Sequence, residues 1–544
     1  MNRRQIVAVS LLVVALLAGT WAVARVQEST DNTYANIERF IQVLTKVRDN
    51  YVEPVGSDKL MDSAIRGMLR TLDPYSQYLD KEEAERLETT THGSFGGIGI
   101  SIGMRDHWVT VIAPIEGTPA WKAGILGGDR IIKIDDVSSE GLSLDDAMKK
   151  MRGERGTKVK LTILREGREK ALEFEIVRDI IQIKSVPYAG LLSNGVGYIR
   201  LSQFSERSRQ EMDAAFAKLD KLHPRGLILD LRFNPGGLLS QAVEIAEEFT
   251  PRGKRIVYTR GRDPSQNRDF NSTSDHVHDG YPIVVLTNQW TASASEIVSG
   301  ALQDLDLGLV VGKTTFGKGL VQTVIPLTRS VKGPKLKLTT AKYYTPSGRS
   351  IQKDEQLKTG ALAEGGDTDD GEPADSAVST KPRPEFRTEM GRVVYGGGGI
   401  APDVELADVK LPRVMEDLEA KQVFFKYAVK FAAKHKDPPA GYAVSPQIRD
   451  EFRQLLADEK VEVNADSLAA AQRWVDNGIR RELGRRFGGE EEAYRIALED
   501  DEQVKAAAAL FDRAPTLPKL LALASELSKN KAVASPTESA KGIR

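Results

Sequence analysis

The chain has 544 residues, long enough for about three domains at roughly 150 residues each. Its 76 basic and 77 acidic residues nearly cancel, which gives no reason to expect a nucleic-acid partner. Hydrophobic residues make up 40 % and allow sizeable cores, and the lack of any cysteine excludes disulfides and a thiol nucleophile.

Along the chain, Arg3 and Arg4 precede an apolar stretch at 6–23, so 1–30 reads as a signal peptide or a membrane anchor. Ala22-Val23-Ala24 fits a small-x-small cleavage pattern, while the apolar length is near that of a span. Either way the remainder is expected to be exported, to the periplasm or the extracytoplasmic face of the inner membrane. Residues 31–90 form a helical lead-in: Ile37, Phe40, Ile41, Leu44, Val47 and Tyr51 recur at helical spacing. A second helix is predicted over 58–69, ending before Asp73-Pro74.

Residues 91–180 change to short strands, glycine turns and a helix begun by Ser143, with Asp146 three residues on as in a capping box. Residues 181–352 alternate apolar strands (196–201, 226–231, 283–286, 309–311) with helices (206–222, 238–249, 294–303), which predicts a mixed α/β core covered on both faces. Residues 353–396, with the acidic run 365–373, are too polar to offset the cost of ordering and are expected to be an unstructured insertion. The core resumes over 397–408, a separate helical C-terminal domain is expected over 409–528, and 529–544 reads as a flexible tail. The fold class is therefore mixed α+β: an α/β core, an inserted β-rich domain and helical regions at both ends.

The chemistry concentrates in Thr291-Ala292-Ser293-Ala294-Ser295-Glu296 and Gly317-Lys318-Gly319. Small neighbours leave room for a carbonyl at the serine, and a desolvated lysine can act as the base that serine needs. None of the six histidines sits in a recognisable triad motif. The plainer reading of Ser293 is a helix cap. Gly312 to Gly319 is one residue from a phosphate-binding loop, but Gly319 replaces the hydroxyl that holds Mg²⁺, and a strand rather than a helix is predicted after it. His276 and His278 lack a third ligand for zinc, and no metal or cofactor is called for. Asn234-Pro235-Gly236-Gly237 follows a strand and permits close backbone approach. Glu296 and Asp304 are read as structural acids.

Leu72-Asp73-Pro74-Tyr75-Ser76, Phe95-Gly96-Gly97-Ile98-Gly99, the run from Asp230 to Gly237, the Ser293 segment, Phe316 to Gln322 and Tyr343 to Arg349 occur in one order. In this the chain resembles the carboxyl-terminal processing (tail-specific) serine proteases, over about residues 37–404. Tyr75 and Phe233 depart from the histidine and asparagine common there. The resemblance implies a Ser–Lys protease core with Ser293 as nucleophile, Lys318 as general base and Gln322 orienting the lysine. The N–H of Gly236 or Gly237 and that of Ala294 would form the oxyanion hole. It further implies that 91–180 is a PDZ domain catching apolar C-terminal tails of protein or peptide substrates. Gly96, Gly97, Ile98 and Gly99 would form its carboxylate loop, and Ile98, Ile100, Ala147, Met148 and Met151 its apolar pocket. Arg152 is a candidate regulatory contact reporting PDZ placement, against the plainer reading of a basic residue at a helix end. A homo-oligomer, an accessory activator and, through an uncleaved 1–30, the membrane are further expected partners. The rival reading is a proteolytically inactive PDZ scaffold or chaperone.

Overall fold

A computed structural model of the chain describes residues 33–275, 278, 280–330, 333–353, 383–407 and 409–533. The stretch at 1–30, the acidic run 365–373, His276 and the tail from 534 lie outside the described residues. Among those described, no helix is long and apolar enough to cross a membrane. The chain divides into two compact units, residues up to 84 with 322–339, and residues 85–321 with 340 onward.

In the smaller unit a helix over 33–50 leaves Ile37, Phe40, Ile41 and Val47 exposed. The predicted second helix is Ser57–Arg70, with Asp58 in its first turn and Arg70 in its last, charges that suit its dipole. Asp73 then folds the Leu72 to Ser76 motif into a turn: one carboxylate oxygen accepts from the N–H of Tyr75 and Ser76 and the other from Ser76 Oγ. Strand Gln77–Leu79 follows, antiparallel to 335–337.

The larger unit is built on a six-stranded sheet. Tyr188–Leu191 lies antiparallel at one edge, and Gly197–Arg200, Leu227–Asp230, Ile283–Thr287, Leu309–Gly312 and Val404–Glu405 follow in parallel. The inner strands are apolar at consecutive positions because both faces are covered. Leu227, Leu229, Val285 and Val310 point to helices Ser208–Asp220, Leu239–Glu247 and Ala294–Asp304. Ile228, Val284, Leu286, Leu309 and Val311 point to the other side, against Leu498, Val504, Phe511, Leu520 and Ala524.

That second cover corrects the expectation of a separate C-terminal domain over 409–528. The helices Glu502–Arg513 and Leu517–Val533 are a layer of the core itself. Only the preceding part has a core of its own, around Phe424, Phe452, Tyr427 and Leu483. A second correction concerns 353–396. Within it Glu385–Arg387 and Val393–Tyr395 form a hairpin. Its polar composition hides the reason: Arg392 reaches in to Asp306 (2.6 Å) and Asp403 (2.5 Å), and the Tyr395 carbonyl accepts from buried Arg349.

The inserted β domain has strands Ile100–Arg105, Trp108–Pro114, Arg130–Ile134, Lys158–Leu164 and Leu172–Val177 in that spatial order, leaving Ile100–Arg105 at an edge. Helix Leu144–Met151 is capped as expected, Ser143 accepting from the Asp146 N–H at 3.1 Å. Its other end is closed by buried Arg178, which donates to the carbonyls of Lys150, Met151 and Lys158. The chain enters and leaves this domain through one antiparallel ladder, Ser94–Gly97 with Asp179–Gln182. The domain also rests on the C-terminal helices, the Arg105 guanidinium lying 3.5 Å over the Phe425 ring.

Candidate active site

Three neighbouring parallel strands deliver the candidate residues from their carboxyl ends, where open α/β sheets place their ligands. Leu227–Asp230 leads into the Gly236-Gly237 loop, Ile283–Thr287 into Ser293, and Leu309–Gly312 into Lys318. Local polar bonds stitch the three loops together. Asn288 Oδ1 accepts from the Phe233 N–H, Thr291 Oγ1 donates to the Leu231 carbonyl, the Ala292 N–H to the Asn234 carbonyl and the Phe316 N–H to the Thr291 carbonyl.

Ser293 stands at the cap of helix Ala294–Asp304 with φ 56° and ψ −115°, a conformation that a residue with a side chain adopts only under constraint. The constraint is visible. Buried Glu296 accepts the Ser293 N–H (2.8 Å) and the Lys318 N–H (2.9 Å) on one carboxylate oxygen. On the other it accepts the Gly317 N–H and Thr315 Oγ1. From the opposite side the hydroxyl of buried Tyr343 donates to the Lys318 carbonyl at 2.5 Å and, as a shared donor, to that of Ser293 at 3.1 Å. Two side chains thus bind the backbones of Ser293 and Lys318 to one another. Both side-chain-bearing residues themselves remain half-buried.

Burial raises the Glu296 carboxyl to about 7, against the lowering effect of the bonds it accepts from Thr315, Lys318, Gly317 and Ser293. The reading of Glu296 as structural had only its place three residues after Ser293 to go on. Its link to the lysine loop has no local sequence mark. Tyr343 was visible only as part of a motif. Asp304, at the far end of the same helix, takes Arg349 at 2.7 Å, both fully buried, and the Ser347 N–H and hydroxyl, which fixes the Tyr343 to Arg349 segment.

Gly236 presses against the serine turn. A Cβ built on it would lie 2.8 Å from Ser293 Cβ and 2.9 Å from the Ala294 nitrogen, at φ 99°. Its N–H donates to Asn234 Oδ1, so it is already engaged. Among the described residues no acceptor takes the N–H of Gly237 or Ala294. Gln322 belongs to the smaller unit, where its amide donates to Thr339 Oγ1 at 3.4 Å. His278 stacks on Phe216 and pairs with Glu248 at 3.1 Å. Leu320–Pro326 is a strand, so no helix N-terminus follows Gly317 to Gly319 to hold a phosphate. Beneath the Gly236 loop, burial alone would raise Asp230, but Arg232 and Arg200 overcome it and hold the carboxyl at about 2.

In the inserted domain the expected binding residues divide. Gly96 and Gly97 lie in the ladder with Ile180 and Asp179, whose strand is some 80 residues away and leaves no local trace. Ile98, Ala147 and Met151 are core residues. Ile100 and Met148 are half-buried beside the edge strand. The N–H groups of Ile98 and Gly99 meet no acceptor among the described residues, while their carbonyls accept from Ala120 and Ile115. Arg152 caps the helix with its backbone, its N–H donating to the Met148 carbonyl, while its side chain turns away from the helix end. Its guanidinium lies 4.5 Å over the Phe95 ring, on the ladder.

A nucleophile-type serine at a strand end, a lysine loop bound to its backbone and a domain with an open edge strand inserted ahead of them describe a peptidase of mixed α/β fold. Residues 195–358 match Peptidase family S41, 96–176 a PDZ domain and 18–83 the activating protease CtpB N-terminal domain. The chain is 45 % identical over 325 residues to the carboxy-terminal-processing protease of Bartonella bacilliformis, covering 59 % of this chain and 74 % of that protein. It is 38 % identical over 336 residues to the carboxy-terminal processing protease CtpB of Bacillus subtilis, covering 61 % and 68 %. Among solved structures, the photosystem II D1 C-terminal processing protease is 30 % identical, covers 57 % of this chain and 89 % of its own, and has a TM-score of 0.33. The chain belongs to the carboxy-terminal-processing proteases of Peptidase family S41, and carries their PDZ domain.

Proposed function

We propose that the chain is an exported serine endopeptidase working through a Ser293–Lys318 dyad. Lys318 takes the proton of Ser293 Oγ as it attacks the peptide carbonyl, and passes it to the leaving amine. The resulting acyl-enzyme is hydrolysed by water that the same lysine activates. Gly237 and Ala294, whose N–H groups meet no acceptor among the described residues, are the donors to the oxyanion. The reading rests above all on the double fastening of Ser293 to Lys318 by Glu296 and Tyr343. The PDZ domain selects substrates. An apolar tail adds a strand to the edge Ile100–Arg105, its carboxylate meets the Ile98 and Gly99 N–H groups, and Ile100 and Met148 line its path. Export is supported by Arg3, Arg4 and the apolar 6–23.

Cleavage of a peptide with an apolar tail tests this reading. Ser293→Ala and Lys318→Ala each abolish it with the fold intact, since the pair acts as one unit. Lys318→Arg is equally inactive because guanidinium does not deprotonate near neutral pH. Chelators leave the wild type unaffected. Cleavage by either alanine variant defeats the dyad, and tail binding without cleavage by the wild type favours the scaffold reading.

A further inference from the structure

The loop that holds Gly237 leans on the C-terminal helices. Arg232 is five residues before Gly237 and only 12 % exposed at its side chain. Its Nε and Nη2 engage Asp230, which also takes Arg200 at 2.9 Å and the Tyr198 hydroxyl at 2.7 Å. The rest of the guanidinium faces residues 269 and 271 positions further along the chain. Nη2 donates to Asp501 Oδ2 at 2.7 Å, and Nη1 to Gln503 Oε1 at 2.8 Å and Asp501 Oδ1 at 3.3 Å.

Asp501 is the cap of helix Glu502–Arg513, its Oδ1 accepting the N–H of Gln503 and Val504. Gln503 also donates to the Ala407 carbonyl, just past the last strand of the sheet. Charge explains the need for this partner. Asp230 alone would leave Arg200 and Arg232 with one excess positive charge in a place largely closed to water. Asp501 balances it, and a buried cation left without a partner is costly enough to favour any shift of its loop toward water.

We propose that Asp501 and Gln503 are positioning residues for the oxyanion loop, so that the C-terminal helices complete the catalytic centre without touching substrate. The proposal rests on the peptidase reading above. It lies outside the stretches matched by Peptidase family S41, the PDZ domain and the CtpB N-terminal domain.

Asp501→Asn is the informative change. Asparagine caps a helix as well as aspartate does. With its oxygen kept on the Gln503 and Val504 N–H groups, its NH₂ faces Arg232 and sets donor against donor. In the full chain we expect kcat on a tailed peptide to fall roughly tenfold or more, as for a displaced oxyanion donor. KM and the melting temperature should stay near wild type. Amide exchange over 231–238 should quicken while that of helix Ala294–Asp304 does not. Gln503→Glu added to Asp501→Asn returns a carboxylate to Arg232 and should recover most of kcat. Unchanged exchange and unchanged kcat in Asp501→Asn overturn the proposal, as does a loss of kcat matched by a loss of melting temperature that Gln503→Glu does not rescue. Exchange is read whether or not the protein cleaves. A wild type that cleaves nothing therefore counts against the peptidase reading, and slow exchange in Asp501→Asn counts against this one.

Discussion

Glu296 accepts hydrogen bonds from four residues, three through backbone N–H groups and one through the Thr315 hydroxyl. A proton on Oε2 would aim an O–H at the Ser293 and Lys318 N–H groups, and a proton on Oε1 would still weaken both bonds by removing the carboxylate's charge. Its carboxyl sits at about 7, above the ordinary value of 4.5. The folded state therefore holds this proton more tightly than the unfolded chain does. The stability it adds is complete below about 4.5 and is lost as pH rises through about 7. Activity runs the other way, because the ionised form fastens the site. A limb rising through about pH 7 is expected in kcat, and Glu296→Gln should remove it while lowering kcat by roughly ten- to a hundredfold. The pH profile of both proteins checks this, and wild-type kcat in the glutamine variant refutes it.

At the scale of elements, the ladder between Ser94–Gly97 and Asp179–Gln182 is the stem on which the PDZ domain sits. Arg152 stacks on Phe95 of that stem and follows directly on the helix carrying Met148. On the proposed reading, a bound tail that shifted this helix would pull on the stem, and the domain would then act as a gate as well as a tether. Arg152→Ala and Met148→Asp, assayed with saturating tailed peptide, should both lower kcat by severalfold. Ile98 is buried in the core and unsuited to this test, since a charge there would unfold the domain. A rise in KM alone would leave a passive tether.

These elements also mark what could be read in advance. Short apolar runs mark the strands of the sheet, Ser143 and Asp146 the helix start, and paired motifs the serine and lysine. Phe95-Gly96-Gly97 reads as part of a carboxylate loop because the strand it pairs with, Asp179–Gln182, lies far along the chain. Hairpin 385–395 was missed because its anchor is one arginine, Arg392, whose acids lie in other elements. Local pattern reports local pairing, and both cases depend on distant ones.

At the scale of the molecule, the two faces of the catalytic sheet are covered by different parts of the chain. Ending the protein at residue 497 would bare Ile228, Val284, Leu286, Leu309 and Val311. At roughly 2 kcal/mol for each large apolar side chain, that loss rivals a whole domain's stability of about 5–15 kcal/mol. The truncated protein should bind hydrophobic dyes, aggregate and lack a cooperative melt. A soluble, cooperatively folding product would show that the helices are an accessory.

The same covering sets a clock. Strand Leu309–Gly312 is made about 190 residues before helix Glu502–Arg513. At about 5–20 residues per second the half-covered sheet waits on the order of ten to forty seconds for its last layer. Asp501 arrives with that layer. If Ser293, Lys318 and the Gly237 loop act as proposed, a nascent chain would have its serine and its lysine long before a finished oxyanion loop, and newborn copies would need shelter for a greasy face more than restraint of their chemistry.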